Sequence, residues 1–230
     1  MRWIKQATLG RLALAACVVP LQCVPAQTPP APASRVVAVL DAAHGGDDPG
    51  GKLDSGQPEK AATLALSIRL RSLLAARGFQ VVTTRESDVT LDSDSRAAVA
   101  NHAGAQLCLT LHATESGSGI HIFTSSLAPA RTSRFNAWET AQAGWITRSL
   151  ALAGVLNAAL LHAGFNVTLD RTSLPGIDSM TCPAVAIEIA PERNSDRGII
   201  AEPDDPAYQN RVATAIAAAA VEWHAEGRQP

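Results

Sequence analysis

Apolar and polar positions alternate between two rhythms along this chain. Short, nearly continuous apolar runs rich in Val, Leu and Ile recur at "RVVAVLDA", "FQVVTTR", "AQLCLTLHA", "GIHIFTSS" and "CPAVAIEIAP". Runs of this length, bounded by Gly, Pro or Asp, predict strands, several of them buried on both faces. Between them the spacing becomes helical. In "PEKAATLALSIRLRSLLAARG", Leu66, Leu70, Leu73 and Leu74 share a face, Pro58 suits the first turn and Gly78 ends the run. "LDSDSRAAVANHAG" predicts a shorter helix capped by a Ser or Asp. "AWETAQAGWITRSLALAGVLNAALLHAG" predicts one long helix or two broken ones, with Trp138 and Trp145 on similar sides and used for packing, then a short strand at "FNVTLD". "DPAYQNRVATAIAAAAVEWHAEG" closes the chain as an Ala-rich helix. Strands alternating with helices predict an α/β fold: a single open, mostly parallel twisted sheet of about six strands with helices on both faces.

The first residues do not fit that pattern. "MRWIKQATLGRLALAACVVPLQCVPAQ" has a basic start at Arg2, Lys5 and Arg11, a short apolar core and the small-residue site Val24-Pro25-Ala26. This is the form of a secretion signal, residues 1–26, cleaved before Gln27. The apolar core is too short to span a bilayer, so no stable membrane insertion is expected once it is removed. "LAAC" offers Cys17 for lipid attachment, but Arg11 leaves too little apolar sequence before it, and cleavage after Ala26 is the preferred reading. Residues 27–35, "QTPPAPASR", form a Pro/Ala-rich tether, 36–226 a single catalytic-size domain and 227–230 a tail. The expected location is therefore exported: the periplasm or cell envelope, with an extracellular location also open.

Removing the signal leaves 16 basic and 21 acidic residues, a formal charge of −5. A mildly acidic chain without a basic run excludes nucleic acid as a partner. Cys108 and Cys182 are the two cysteines that remain, and two buried small hydrophobes is the favoured reading over a disulfide, because spacing says nothing of geometry.

Four polar residues stand where strands end or helices begin. His44 follows the first strand, Glu59 opens the first helix, His112 follows "LCLTL" and Glu188 ends "AVAI". In open α/β sheets, sites gather beyond the carboxyl ends of strands, near helix N-termini. Two imidazoles and one carboxylate are a ligand set for catalytic zinc. A second carboxylate off the metal is what hydrolysis needs as a proton acceptor. Each residue also has a plainer role. Glu59 can complement its helix dipole, and His112 can be a satisfied half-buried side chain. Glu188 is harder to set aside, since a buried carboxylate without a partner is costly.

"VLDAAHGGDDPGG", the segment from "PEKAATLAL" to "LCLTLHA", "CPAVAIEIAPERN" and "DPAYQNRVATAIAAAAVEW" occur in an order that resembles the zinc-dependent N-acetylmuramoyl-L-alanine amidases of the amidase_3 type. The resemblance covers nearly all of residues 36–224 and is weakest over 125–170. It implies one Zn²⁺ held by His44, Glu59 and His112, with Glu188 as general acid/base. It further implies a peptidoglycan substrate, cut between the lactyl group of N-acetylmuramic acid and L-alanine of the stem peptide. Gly residues after His44 would let the loop fold back and bring Glu59 to the metal. Arg85 and Arg96 match the pattern as loop-fixing residues.

Departures are few. Ala42 and Ala43 stand where the family usually has Pro and Gly, Glu115 alters "HANA" to "HATE", and Pro191 and Glu192 follow the catalytic strand. There is little room for an inserted blocking helix, so an unblocked enzyme is expected, with an activator protein left open. His102, His121, His162 and His224 are expected to be structural or exposed, with His121 the substitute should one assigned ligand fail. Two rival readings remain: a catalytically silent wall-binding or regulatory relative, and a zinc peptidase cutting within the stem peptide.

Overall fold

The computed structural model describes residues 35–130, 137–194, 196 and 198–227. The expected secretion signal, the tether up to residue 34 and residues 228–230 lie outside the described residues.

Each apolar run of the sequence forms a strand. β1 is Val37–Ala42, α1 Glu59–Ala76, β2 Gln80–Thr83, α2 Ser93–Ala103, β3 Leu107–Ala113 and β4 Ile120–Ser125. A 3-10 segment, Trp138–Gly144, leads into α3, Ile146–His162, followed by β5, Val167–Thr172, and the single turn α4, Pro175–Asp178. β6 is Ala184–Ile189, β7 Glu192–Asn194, β8 Gly198–Ala201 and α5 Pro206–Glu226.

Six strands form one sheet in the order β2-β1-β3-β6-β4-β5, and β7 and β8 make a separate hairpin. β2, β1, β3 and β6 are parallel, whereas β4 pairs with β6 antiparallel and carries β5 with it. The first face holds Ala38, Leu40, Leu107, Leu109, Leu111, Val185 and Ile187 beneath α1, α3 and α5. Leu66, Leu70 and Leu74 of α1 point into this layer. Truncating any one of them to Ala is worth about 2–5 kcal/mol. The second face is covered only in part, because α2 and α4 are short. Ala97, Ala100 and Ile177 seal Val39, Cys108, Ala184 and Ala186, leaving the strand ends of that face open.

Local signals account for the boundaries. The Asp92 side chain accepts from Ser95 N and caps α2, and Gly104 closes it in the left-handed region (φ 59°). Pro58 sits one residue ahead of α1, in extended conformation, rather than within its first turn. The long apolar stretch is two pieces: the 3-10 segment and α3 meet at a 65° bend, so Trp138 and Trp145 do not share a helix side. Trp138 is exposed and Trp145 half-buried. No single helix among the described residues is long and apolar enough to cross a membrane.

One expectation is overturned. Cys108 of β3 and Cys182, two residues before β6, form a disulfide with a Cα–Cα separation of 6.4 Å. Parallel pairing of β3 with β6 sets Cys108 opposite Ala184 and so brings Cys182, two residues earlier and 74 residues from Cys108 in sequence, within reach. Nearby, the buried Gln142 amide donates to the carbonyls of Met180 and Cys182, while its Oε1 accepts from Ser149 Oγ at 2.6 Å. The same Ser149 oxygen accepts from Ala184 N at 2.9 Å. The entry into β6 is thus fixed by one covalent bond and a fully partnered polar network.

Because the disulfide closes a long loop, C108A/C182A is expected to lose roughly 2–4 kcal/mol of stability. Urea unfolding of a chain starting at Gln27 measures this, and thiol titration of the unreduced, unfolded chain should find no free thiol. A full count of two thiols with unchanged stability on reduction would contradict the bond.

Candidate metal centre

The strained turn after β1 starts the site. His44 is the one non-glycine with positive φ (61°) among the described residues, a conformation that costs an L-residue energy unless its surroundings enforce it. Two buried arginines supply that enforcement. Arg96 donates to Asp41 Oδ1 (2.7 Å), to the Ala42 carbonyl (2.7 Å) and to the His44 carbonyl (2.7 Å). Arg85 donates to the carbonyls of Ala42 (2.9 Å), Ala43 (2.9 Å) and Lys60 (2.8 Å). Their loop-fixing role matches the reading of the sequence. Burial lowers the Arg85 pKa, with the neighbouring Arg96 charge adding to the effect, yet the carbonyl cage still suits a guanidinium.

Beyond the turn the chain doubles back so that α1 begins under it. Glu59 N donates to the Gly51 carbonyl at 2.8 Å, and Glu59 is only 6% exposed. Gly50 is required here: at φ 65°, an added Cβ would lie 2.6 Å from His44 Cδ2 and 2.7 Å from Glu59 Oε2.

Three of the four candidate residues converge. His44 Nε2 is 3.1 Å from Glu59 Oε2, and His112 Nδ1 is 2.9 Å from Glu59 Oε1. One ligand atom from each of the three residues lies within 4.8 Å of the others, so the group could hold a metal ion. Two imidazoles and a carboxylate suit a borderline cation such as zinc. Asp48 Oδ2 meets His44 Nδ1 at 2.8 Å, while its Oδ1 accepts from Gly50 N. A carboxylate so placed would fix the tautomer and angle of the His44 ring if that ring bound a metal.

The electrostatics are those of a cation site. Burial alone would raise the Glu59 pKa, but hydrogen bonds from His112, His44 and Gly51 outweigh it and hold the carboxyl ionised, far below its usual range. The His44 pKa is raised, chiefly by its hydrogen bond to Glu59, against a burial effect of opposite sign, with Asp48 adding to the rise. Asp48 is lowered by the His44 hydrogen bond. A cation entering between these groups displaces the His44 Nε2 proton, so binding weakens as pH falls through the raised His44 value.

Glu188, the fourth candidate, stands beside this cluster. On the sheet His112 pairs in register with Glu188, and Glu188 with His121. In-register neighbours project to the same face, with strands about 4.8 Å apart, so the order His112, Glu188, His121 forms a row at the open rim. His121 is outside the three-residue group and meets Glu188 Oε2 through Nδ1 at 3.0 Å. Next to the row, a cleft of about 490 Å³ is floored by Asp41, Thr110 and Ala186 and walled by Leu91, Asp92 and Leu174 to Ile177. The Tyr208 hydroxyl donates to the Ala190 carbonyl at 3.0 Å and anchors the chain just past Glu188; burial raises its pKa.

Ala42 is buried in β1 and Ala43 lines the cleft, both outside the positive-φ region. Glu115 is exposed, Pro191 buried, and Glu192 is ion-paired with Arg211. His102 and His162 are exposed, and His224 packs against Phe79. Sequence reasoning left Asp48 without a role and His121 as a spare ligand. An acidic residue four positions beyond His44 was the signal for the first.

Comparison with known proteins identifies relatives of the whole domain. The family model described as N-acetylmuramoyl-L-alanine amidase matches residues 38–222. The germination-specific N-acetylmuramoyl-L-alanine amidase of Bacillus subtilis is 25% identical over 225 residues, covering 86% of this chain and 84% of that protein. AmiC of Neisseria meningitidis is 29% identical over 107 residues, covering 44% of this chain. The matched part spans 26% of that AmiC, about a quarter of its length. Among solved structures, the catalytic domain of CwlV, an amidase from Bacillus (Paenibacillus) polymyxa var. colistinus, superposes with a TM-score of 0.64 at 27% identity. That superposition covers 83% of this chain and 98% of the CwlV domain.

D48N should bind a divalent metal about 10–100-fold more weakly than the parent, and G50A should abolish binding without unfolding the chain. Competition with a chromophoric chelator, alongside circular dichroism, measures both. Unchanged affinity in G50A would contradict the placement of the ion between His44 and Glu59.

Proposed function

We propose that this chain, which belongs to the amidase_3 family of N-acetylmuramoyl-L-alanine amidases, hydrolyses the amide between the lactyl group of N-acetylmuramic acid and L-alanine of the peptidoglycan stem. One Zn²⁺ is held by His44, Glu59 and His112, and Glu188 is the general acid/base. The observation that carries the reading is the placement of a second carboxylate, Glu188, in register beside the three-ligand cluster.

A zinc ion bound there supplies Lewis-acid polarisation of the scissile carbonyl and a lowered pKa for attacking water. The protein's own groups do the rest. Asp48 keeps the His44 ring oriented, and Glu59 neutralises part of the ion's charge. Glu188 takes a proton from the attacking water as the C–O bond forms. It delivers that proton to the alanine nitrogen as the C–N bond breaks, so no net proton is needed. The neighbouring cleft is large enough for a stem-peptide segment. His44, His112 and Glu188 side chains are 24%, 33% and 29% exposed, which favours an enzyme that works without an activator. The buried Cys108–Cys182 disulfide fits an exported protein, with residues 1–26 as the secretion signal and the periplasm or cell envelope as its location.

Residues 27–230 should digest purified sacculi unaided, lose that activity to a chelator, and leave free N-termini on L-alanine in mass spectra of the fragments. New ends further along the stem would indicate a peptidase, and no digestion at all a silent relative or an activator-dependent enzyme. E188A should lower turnover at least 10²-fold while retaining zinc. Undiminished digestion by E188A would remove Glu188 from the mechanism.

A further inference from the structure

We propose that His121 is a positioning residue that holds the Glu188 carboxylate in its proton-accepting orientation; this rests on the amidase reading above. His121 Nδ1 lies 3.0 Å from Glu188 Oε2. The two residues are directly opposite on antiparallel strands, where facing Cβ atoms are about 4.5–5.5 Å apart and side chains meet without strain. A carboxylate that is to take a proton must be ionised and can only accept hydrogen bonds. Nδ1 therefore carries the ring proton and donates it to Oε2, and Oε1 stays free for the attacking water.

The ring is confined on the sides that matter. Phe123 meets it edge-on at 6.4 Å between ring centroids. Gly117 closes over it so tightly that an added Cβ would lie 2.7 Å from His121 Cε1 and 3.1 Å from Nε2. The Gly117 carbonyl in turn accepts from Arg193 Nε at 3.0 Å, which ties this loop to β7. A carboxylate on a free side chain samples several rotamers. One gripped at a single oxygen keeps the other aimed, and misplacement by about 1 Å can cost 10²-fold in rate. His121 thus serves Glu188 as Asp48 serves His44.

The test compares wild type, E188A, H121L, H121N and G117A in residues 27–230, measuring kcat and KM on a soluble muramoyl-peptide, zinc content and unfolding midpoint. Asn places an N–H donor close to where Nδ1 stands, and Leu places none. H121L is expected to lose about 10–100-fold in kcat with KM within about twofold and zinc retained, and H121N to recover most of the loss. G117A, which displaces the ring from outside, should lower kcat with zinc retained. H121L at wild-type kcat, or H121N as damaged as H121L, would overturn the positioning role while leaving the amidase reading intact. Loss of zinc from H121L would overturn it too, by making His121 a support of the metal. Inactive wild type or a fully active E188A would overturn the parent reading and this inference with it.

Discussion

A single buried carboxylate organises this molecule. Glu59 is nearly sealed from solvent, and an ionised group there is tolerable only if every lone pair it exposes is met. Four donors from two separate segments meet it: Gly51 N and the His44 ring from the loop after β1, and Ala113 N and the His112 ring from β3. The charge that would be costly alone becomes the reason why the β1 loop, α1 and β3 arrive at one point. It also presets the protonation state that a cation requires, since the same hydrogen bonds keep the carboxyl ionised. The arginine cage around residues 42–44 is the second half of the device. Arg85 and Arg96 bind those carbonyls and help to hold His44 at a positive φ.

The sheet acts as a ruler for the rest. Cys108, Thr110 and His112 point to one face of β3, and parallel pairing aligns them with Ala184, Ala186 and Glu188 of β6. The lowest row is closed by α2 and the disulfide, the middle row floors the cleft, and the top row sets His112 beside Glu188 at the open rim. Stability and reactivity thus share a face but occupy different depths, a separation made possible by the shortness of α2. On the opposite face, the residues of β1, β3 and β6 are buried under α1, α3 and α5.

Much of this was legible in the residues. Buried strands read as Val- and Leu-rich runs because both their faces lose water, and His44, Glu59, His112 and Glu188 stood at positions where an open α/β sheet collects its site. Other features carried no local signal. Direction is invisible in a strand's own pattern, so the reversal of β4 and β5 was not foreseen. His121 comes from the start of a reversed strand, whereas the rule in use looked at the ends of parallel ones. The alternation Ile120, His121, Ile122 did place its ring opposite the core face, but nothing local named Glu188 as its partner. The 74-residue gap between Cys108 and Cys182 is closed by strand pairing alone. α4 and the β7–β8 hairpin are each too short for a periodicity to register, and Gln142 looks like any polar helix residue until the carbonyls it collects are seen.

The most direct measurement of the central arrangement is X-ray absorption at the zinc edge on the metal-loaded chain, backed by anomalous diffraction from its crystals. The expected first shell has two imidazole nitrogens at about 2.0–2.1 Å and carboxylate or water oxygens completing four-coordination, with the anomalous peak between His44, Glu59 and His112. A sulfur scatterer, a third imidazole, or a peak centred on His121 and Glu188 would contradict it.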